Sequence, residues 1–257
     1  MSLWKVIAQK TAGTSHLKKD VPCEDAFAYD IVKDAEGHEV FFACVSDGAG
    51  SAKFGGLAAE YVTENAIQKL RQIFTTSHTI VEEDIYIIAE QLHDELSAIS
   101  FENQTDLKDF SCTFLGFILF EDSGIFFQIG DGAIVRCTDG DTTLVPVYWP
   151  QNGEYQNTTN FLVQDKKLSN LWIRTTADKT SKVAVFTDGL QNLALANDTQ
   201  SVHQPFFMNM LLHLETARTP ESISLFNEKL LLFLQGEQVN ARTDDDKTLI
   251  LASRYQL

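Results

Sequence analysis

Residues 39–50 read EVFFACVSDGAG. The run from Val40 to Val45 is apolar without interruption and closes on Asp47-Gly48. A short apolar run stopped by Asp-Gly is the pattern of a buried strand ending in a tight turn. The pattern recurs in QIGDGAIV around Asp131-Gly132 and in VFTDGL around Asp188-Gly189. A further acidic cluster, Asp244-Asp245-Asp246, precedes the apolar run TLILAS, and the pair Glu24-Asp25 opens another strand-like stretch. Taken singly, Asp-Gly is an ordinary turn signal. Taken together, carboxylates at the ends of several buried strands can converge on one edge of a sheet sandwich.

Working outward from this stretch, strands are expected at Leu3–Thr11 and Ala26–Ile31, ahead of Glu39–Ser46. Apolar residues at helical spacing (Leu57, Ala58, Tyr61, Val62, Ala66, Leu70) predict a helix over Gly55–Phe74. A second is expected over Glu82–Ser97. Two consecutive helices argue against strict alternation of strand and helix. The runs SCTFLGFILF, GIFFQIG and GAIVRCT, separated by turn residues, imply three strands of an antiparallel meander. Asp139-Gly140 then leads into DTTLVPV. Tyr148–Asn170 is polar and reads as a long loop or flap. LWIRTTA and KVAVFT are strands, followed by helices near Pro205–Glu215 and Pro220–Leu234 and a last strand, TLILAS. The expected class is α+β, with two packed antiparallel sheets and helices outside. No linker or repeat divides the chain, so residues 1–257 are read as one domain.

The bulk numbers fit this picture. A chain of 257 residues with 44% hydrophobic content can bury a sizeable core, and 5 Pro with 14 Gly are too few for a fibrous or disordered class. The formal net charge of -16 opposes nucleic acid and anionic lipid, which both require phosphate-neutralising Lys and Arg. Cys23, Cys44, Cys112 and Cys137 form no C-x-x-C pair and read as free thiols in a reducing compartment. MSLWKVIAQK lacks a secretory apolar core, and no run approaches the ~18 apolar residues of a membrane span. A cytoplasmic location is expected.

An uncompensated cluster of carboxylates is costly, because like charges close together disfavour ionisation. Divalent cations remove that cost. Mg²⁺ and Mn²⁺ prefer carboxylate, carbonyl and water oxygens, and no His pair stands at zinc-ligand spacing. A glycine after the aspartate lets a backbone carbonyl approach a cation closely. The pattern points to a site for divalent cations among these carboxylates.

In order, PCEDA, VSDGAGSA, SCTFLGFIL, IGDGAIV, VFTDGL and DDDKTLILA resemble the bacterial branch of protein phosphatase 2C, the metal-dependent serine/threonine phosphatases. The resemblance runs from about residue 10 to residue 254. It implies an α-β-β-α sandwich of two antiparallel sheets flanked by pairs of helices. By position, it implies that Asp47 bridges two metals and that the Gly48 carbonyl binds one of them. Asp188 and Asp245 complete the first metal site, Glu24 lies at the second, and Asp25 orients the attacking water. Asp131 matches the position of a third, weaker metal. Two Mn²⁺ or Mg²⁺ ions, and a third at Asp131, are the implied cofactors. The implied substrate is a phosphorylated protein, within the pathway of a cognate serine/threonine kinase. Asp246 stands where Asn is common. Ser111-Cys112-Thr113 is expected to open a core strand without a chemical role.

The chain departs from the family in its phosphate-holding half. Relatives place an Arg shortly before the acidic pair. Here the segment reads TSHLKKDVPCED, and the first Arg is Arg71. His16, Lys18 and Lys19 are the stand-ins, although a lysine offers a point charge and no bidentate fork. Ala49 replaces a His that animal members carry, so leaving-group protonation falls to His16, to water at the metals or to solvent. Lys53 reads as a solvated helix-start residue, and GEYQNTTNFL as a substrate-facing flap. Two further readings compete with an active phosphatase. One is a pseudophosphatase that binds a phosphoprotein or kinase. The other is a two-metal nuclease, opposed by the acidic surface.

Overall fold

The computed structural model describes residues 2–151 and 159–256. Strand β1 (Ser2–Thr11) leads through a single turn, α1 (Thr14–Leu17), to β2 (Asp25–Lys33) and β3 (Glu39–Asp47). Helices α2 (Gly55–Ser77) and α3 (Glu82–Glu102) follow, then a 3₁₀ turn at Leu107–Phe110. Strands β4 (Phe114–Leu119), β5 (Gly124–Ile129), β6 (Ala133–Thr138) and the short β7 (Val145–Pro146) come next. After them stand β8 (Trp172–Thr176), β9 (Thr180–Phe186), the short α4 (Gln191–Ala194) and the pair β10 (Leu195–Ala196) and β11 (Ser201–Val202). Helices α5 (Gln204–Thr216), α6 (Pro220–Leu234) and α7 (Glu237–Asn240) precede the last strand, β12 (Lys247–Gln256).

The two large sheets each have five strands, in the orders β1-β12-β9-β6-β7 and β2-β3-β4-β5-β8. Every pairing in them is antiparallel. Side chains alternate across a strand, and both faces of these sheets are covered. That explains the unbroken apolar run of β3. Phe41, Ala43 and Val45 enter the core between the sheets, while Val40, Phe42 and Cys44 face the layer of α2 and α3. β12 divides the same way: Ile250 and Ala252 point between the sheets, and Leu249 and Leu251 meet α5 and α6. The α-β-β-α architecture expected from the sequence is the one observed.

Two expectations change. β6 does not continue a meander with β4 and β5. It crosses to the other sheet and pairs with β9 and β7. The crossing is made at Gly130-Asp131-Gly132, where Gly130 adopts φ +113°, a conformation that a side chain disfavours. In addition, α3 runs on to Glu102, because Ile99 and the buried Ser100 extend its inward stripe. The flap motif lies in part, at 153–158, outside the described residues. Among the described residues no helix is long and apolar enough to cross a membrane. All four cysteines are free, and Cys44, Cys112 and Cys137 are buried.

Antiparallel pairing brings the functional strand ends to one edge. Asp25 opens β2 opposite Asp47, which closes β3. Thr11, at the end of β1, pairs with Lys247, at the start of β12. β9 ends and β6 begins beside the same place, with Phe186 opposite both Leu249 and Ala133.

The sheet leaves little room at Gly116 in β4. A Cβ there would lie 2.2 Å from the Ala43 carbonyl oxygen and 2.4 Å from the Phe127 ring. Gly116→Ala is therefore expected to lower unfolding free energy by about 1–3 kcal/mol, read from urea denaturation. Gly50→Ala, where nothing stands within 4 Å, should change it by less than about 0.5 kcal/mol. Equal effects would show that close packing at β4 is not the constraint.

Candidate active site

At the shared edge of the two sheets lies a cavity of about 780 Å³ lined by Asp47, Asp131, Asp188, Asp245 and Asp246 together with His16. The aspartates come from four separate places in the chain, Asp245 and Asp246 sharing the turn before β12. The loop after β3 is held at its root from two sides. The Asp47 amide donates to the Thr113 hydroxyl at 2.8 Å, and the Thr113 amide donates to the Asp47 carbonyl at 2.9 Å. The Gly48 amide donates to the Glu24 carbonyl at 3.2 Å. Thr113 was read from sequence as having no chemical role. The structure gives it a positioning one, which an unremarkable Ser-Cys-Thr before a strand does not signal.

Glycine is needed beside Asp188 for space. A Cβ at Gly189 would sit 1.8 Å from the Asp246 carbonyl oxygen. This close approach brings the Asp188 turn, which follows β9, against the 245–246 turn that precedes β12.

Asp246 is a second residue whose part is visible only in three dimensions. It is buried, and its two carboxylate oxygens accept from the Gly13 amide at 2.7 Å and the Glu24 amide at 2.5 Å. It thereby ties the segment between β1 and β2 to the start of β12. His16 Nδ1 lies 2.9 Å from Asp246 Oδ2, at ion-pair distance but short of hydrogen-bond geometry, and Nε2 lies 3.7 Å from Glu24 Oε2. His16 is thus at the cavity wall. Lys18 and Lys19 are exposed and outside it. Lys53 borders a neighbouring cavity that Glu24 also lines, with its ammonium 4.9 Å from the Phe54 ring centroid.

Asp25 lies behind this lining, 1% exposed. Its Oδ2 accepts from the Thr187 hydroxyl at 2.7 Å, and its backbone carbonyl accepts from Lys10 Nζ at 2.7 Å. Oδ1 of Asp25 is buried without a partner, and so is Oδ1 of Asp188. Asp131 is anchored on three sides. Its Oδ2 accepts from the Thr159 hydroxyl, its carbonyl accepts from Gln191 Nε2, and the adjacent Gly130 amide donates to Gln151 Oε1 at 2.9 Å.

The electrostatics follow from burial. Asp25 is pushed up to about 8, first by desolvation and then by Asp246 and Asp188, against the hydrogen bond from Thr187. Asp188 is pushed up to about 7 by desolvation and by Asp131 and Asp245. Asp47 is raised well above the ordinary carboxylate range by desolvation and by the charges of Asp25 and Asp188. Asp131 and Glu24 are raised too, chiefly by desolvation. Without a counter-cation this edge holds protons that free aspartates would have released.

The donor set fits hard divalent cations. It consists of carboxylate oxygens, with buried oxygen atoms left over that no protein donor satisfies. No three of the cavity carboxylates among the described residues bring ligand atoms within 4.8 Å of one another. Among the described residues, the trio of such groups with ligand atoms all within 4.8 Å is Asp34, Glu36 and His38 on the β2–β3 hairpin. There His38 and Asp34 engage each other at 3.2 Å.

Comparisons with known proteins agree with this geometry. Residues 12–235 match the family model described as protein phosphatase 2C. Serine/threonine-protein phosphatase 3 of Escherichia coli (strain K12) is 36% identical over 254 residues, covering 97% of this chain and 98% of that protein. Among solved structures, serine/threonine phosphatase Stp1 from Staphylococcus aureus superposes with a TM-score of 0.62 at 17% identity, over 98% of this chain and 95% of that one. RsbX, solved in complex with magnesium, gives 0.55 at 13% identity, over 98% and 96%. The two structural likenesses speak for the fold, and the sequence matches go further: the chain belongs to the protein phosphatase 2C family.

Proposed function

We propose that the protein is a metal-dependent phosphatase acting on phosphoserine and phosphothreonine in proteins. The observation that carries this reading is the convergence of Asp47, Asp131, Asp188 and Asp245 on one cavity in which buried carboxylate oxygens lack partners. Asp47, the Gly48 carbonyl, Asp188 and Asp245 would hold one divalent cation, Asp47 and Glu24 a second, and Asp131 a third. When bound, Mn²⁺ or Mg²⁺ lowers the pKa of water and draws charge from phosphoryl oxygens. Asp25 Oδ1, unpartnered and fixed through Thr187, accepts hydrogen from the attacking water. His16, which lines the cavity, would supply a proton to the leaving oxygen. No protein nucleophile is required, since the free cysteines at 44, 112 and 137 are buried in the packed layers.

The substrate class follows the E. coli relative, a serine/threonine-protein phosphatase by name, and points to a partner kinase pathway. The cytoplasm is the proposed location. A binding-only pseudophosphatase finds no support among the matched relatives.

The wild-type protein with Mn²⁺ is expected to hydrolyse p-nitrophenyl phosphate and a phosphothreonine peptide. Asp47→Asn and Asp188→Asn should each lower kcat/KM by about a hundredfold or more and weaken Mn²⁺ binding in calorimetry. A wild-type protein that binds Mn²⁺ but turns over neither substrate would sink the proposal.

Metal-free stability should depend on pH in a defined direction. Asp25 and Asp188 carry folded-state values of about 8 and about 7, above those of the unfolded chain. The folded state therefore binds more protons between these limits. The stability from this source is full below about pH 4 and is lost as pH rises through 7 to 8. In EDTA the Tm is expected to fall between about pH 5 and about pH 8, less steeply in Asp25→Asn. Added Mn²⁺ should raise Tm more at the upper pH, because cation and proton compete for the same oxygens. A Tm in EDTA that rises over this range would contradict the assignment.

A further inference from the structure

The cavity that gathers the carboxylates lacks the arginine expected of a phosphate site, yet it is not without a cation. We propose that Lys108 binds the phosphoryl group of the substrate in place of that arginine, an assignment that rests on the phosphatase reading above. Lys108 is the one Lys or Arg among the described residues lining the cavity. The residues outside the described set, Met1, 152–158 and Leu257, contain no Lys or Arg. Cations nearby are committed elsewhere. Lys10 Nζ donates to the Asp25 carbonyl at 2.7 Å, the Lys53 ammonium lies over the Phe54 ring, and the buried Lys247 donates to Asn240 Oδ1 at 2.8 Å.

Lys108 sits in the 3₁₀ turn Leu107–Phe110, and that turn is fastened to the loop leaving Asp47. The Phe54 amide donates to the Asp109 carbonyl at 2.8 Å, and the Ala49 amide donates to the Ser111 carbonyl at 2.9 Å. The Phe110 ring stacks on Phe54 with centroids 5.0 Å apart. The Lys108 carbonyl itself accepts from Ser111 Oγ at 2.7 Å. The backbone is therefore set against the metal-site loop, while the four-carbon stem remains free to aim its ammonium. At present Nζ pairs with Asp106 Oδ2 at 2.9 Å, and the two side chains are 77% and 70% exposed. Such a pair is weak and screened by salt, so a phosphoryl dianion held at the cavity can displace Asp106.

Charge makes the cation useful. Five aspartates line the cavity. With the three divalent cations proposed above, these aspartates would carry a net charge of +1, and a bound phosphoryl dianion would bring it to -1. A cation at the rim offsets this excess, where the protein otherwise offers only His16. The sequence could not single out Lys108, because it lies far along the chain from the acidic pair, on a turn with no motif.

The test compares Mn²⁺-loaded wild type with Lys108→Ala, Lys108→Arg and Asp106→Asn, using p-nitrophenyl phosphate hydrolysis, inhibition by inorganic phosphate, and calorimetric binding of inorganic phosphate. Lys108→Ala is expected to raise KM and the phosphate inhibition constant together by about fivefold, with kcat changed by less than about twofold. Lys108→Arg should restore both, and Asp106→Asn should lower both. The difference between wild type and Lys108→Ala should shrink at about 0.5 M NaCl. Phosphate binding unchanged in Lys108→Ala would overturn the proposal. So would a KM that shifts for a phosphopeptide and not for p-nitrophenyl phosphate, since Lys108 would then read the peptide. Calorimetry separates the two readings: an inert wild type that loses phosphate affinity on Lys108→Ala removes the phosphatase assignment and keeps this one.

Discussion

Repulsion among carboxylates that the fold forces together at one edge governs the rest of this structure. Asp47 and Asp188 stand at strand ends of different sheets, yet each lines the same cavity and Asp188 helps raise the pKa of Asp47. Asp25 is buried directly behind them. In water such groups would ionise and separate. Here desolvation and mutual charge hold them protonated or make them await a cation. The site can be this acidic because the surrounding protein leaves it no means of relaxing.

That rigidity has two sources. One is the doubly covered sandwich. β3 and β12 are apolar on both faces, so each is locked between an inter-sheet core and a helix layer, and a one-residue slip would carry side chains to the wrong face. The other is a set of polar cross-links at the edge itself. Thr187 of one sheet donates to Asp25 of the other, and Asp246 receives the amides of Gly13 and Glu24. These bonds are worth about 1 kcal/mol each, more when an acceptor is charged, and they hold the edge segments together.

The two halves of the site are built differently. The cation-holding half is buried, framed by strand ends and glycine contacts such as Gly189 against Asp246. The half proposed to meet phosphate carries His16 on a one-turn helix and Lys108 on a 3₁₀ turn, and Lys108 is largely exposed.

Much of this was written in local pattern. Uninterrupted apolar runs closed by Asp-Gly announced doubly buried strands, and periodic apolar residues announced α2, α3, α5 and α6, because burial on one face or two leaves a period of its own. The aspartates that line the cavity were visible in the sequence for the same reason, since most stand next to a recognisable strand. Tertiary structure alone decided that β6 leaves the β4–β5 hairpin for the other sheet, a choice made by backbone freedom at Gly130 and by pairing with β9, which is remote in the chain. It alone gave Thr113 and Asp246 their positioning parts and brought Lys108 to the cavity. These depend on which distant backbone amide or carboxylate lies within about 3 Å, and no periodicity in a sequence records that distance.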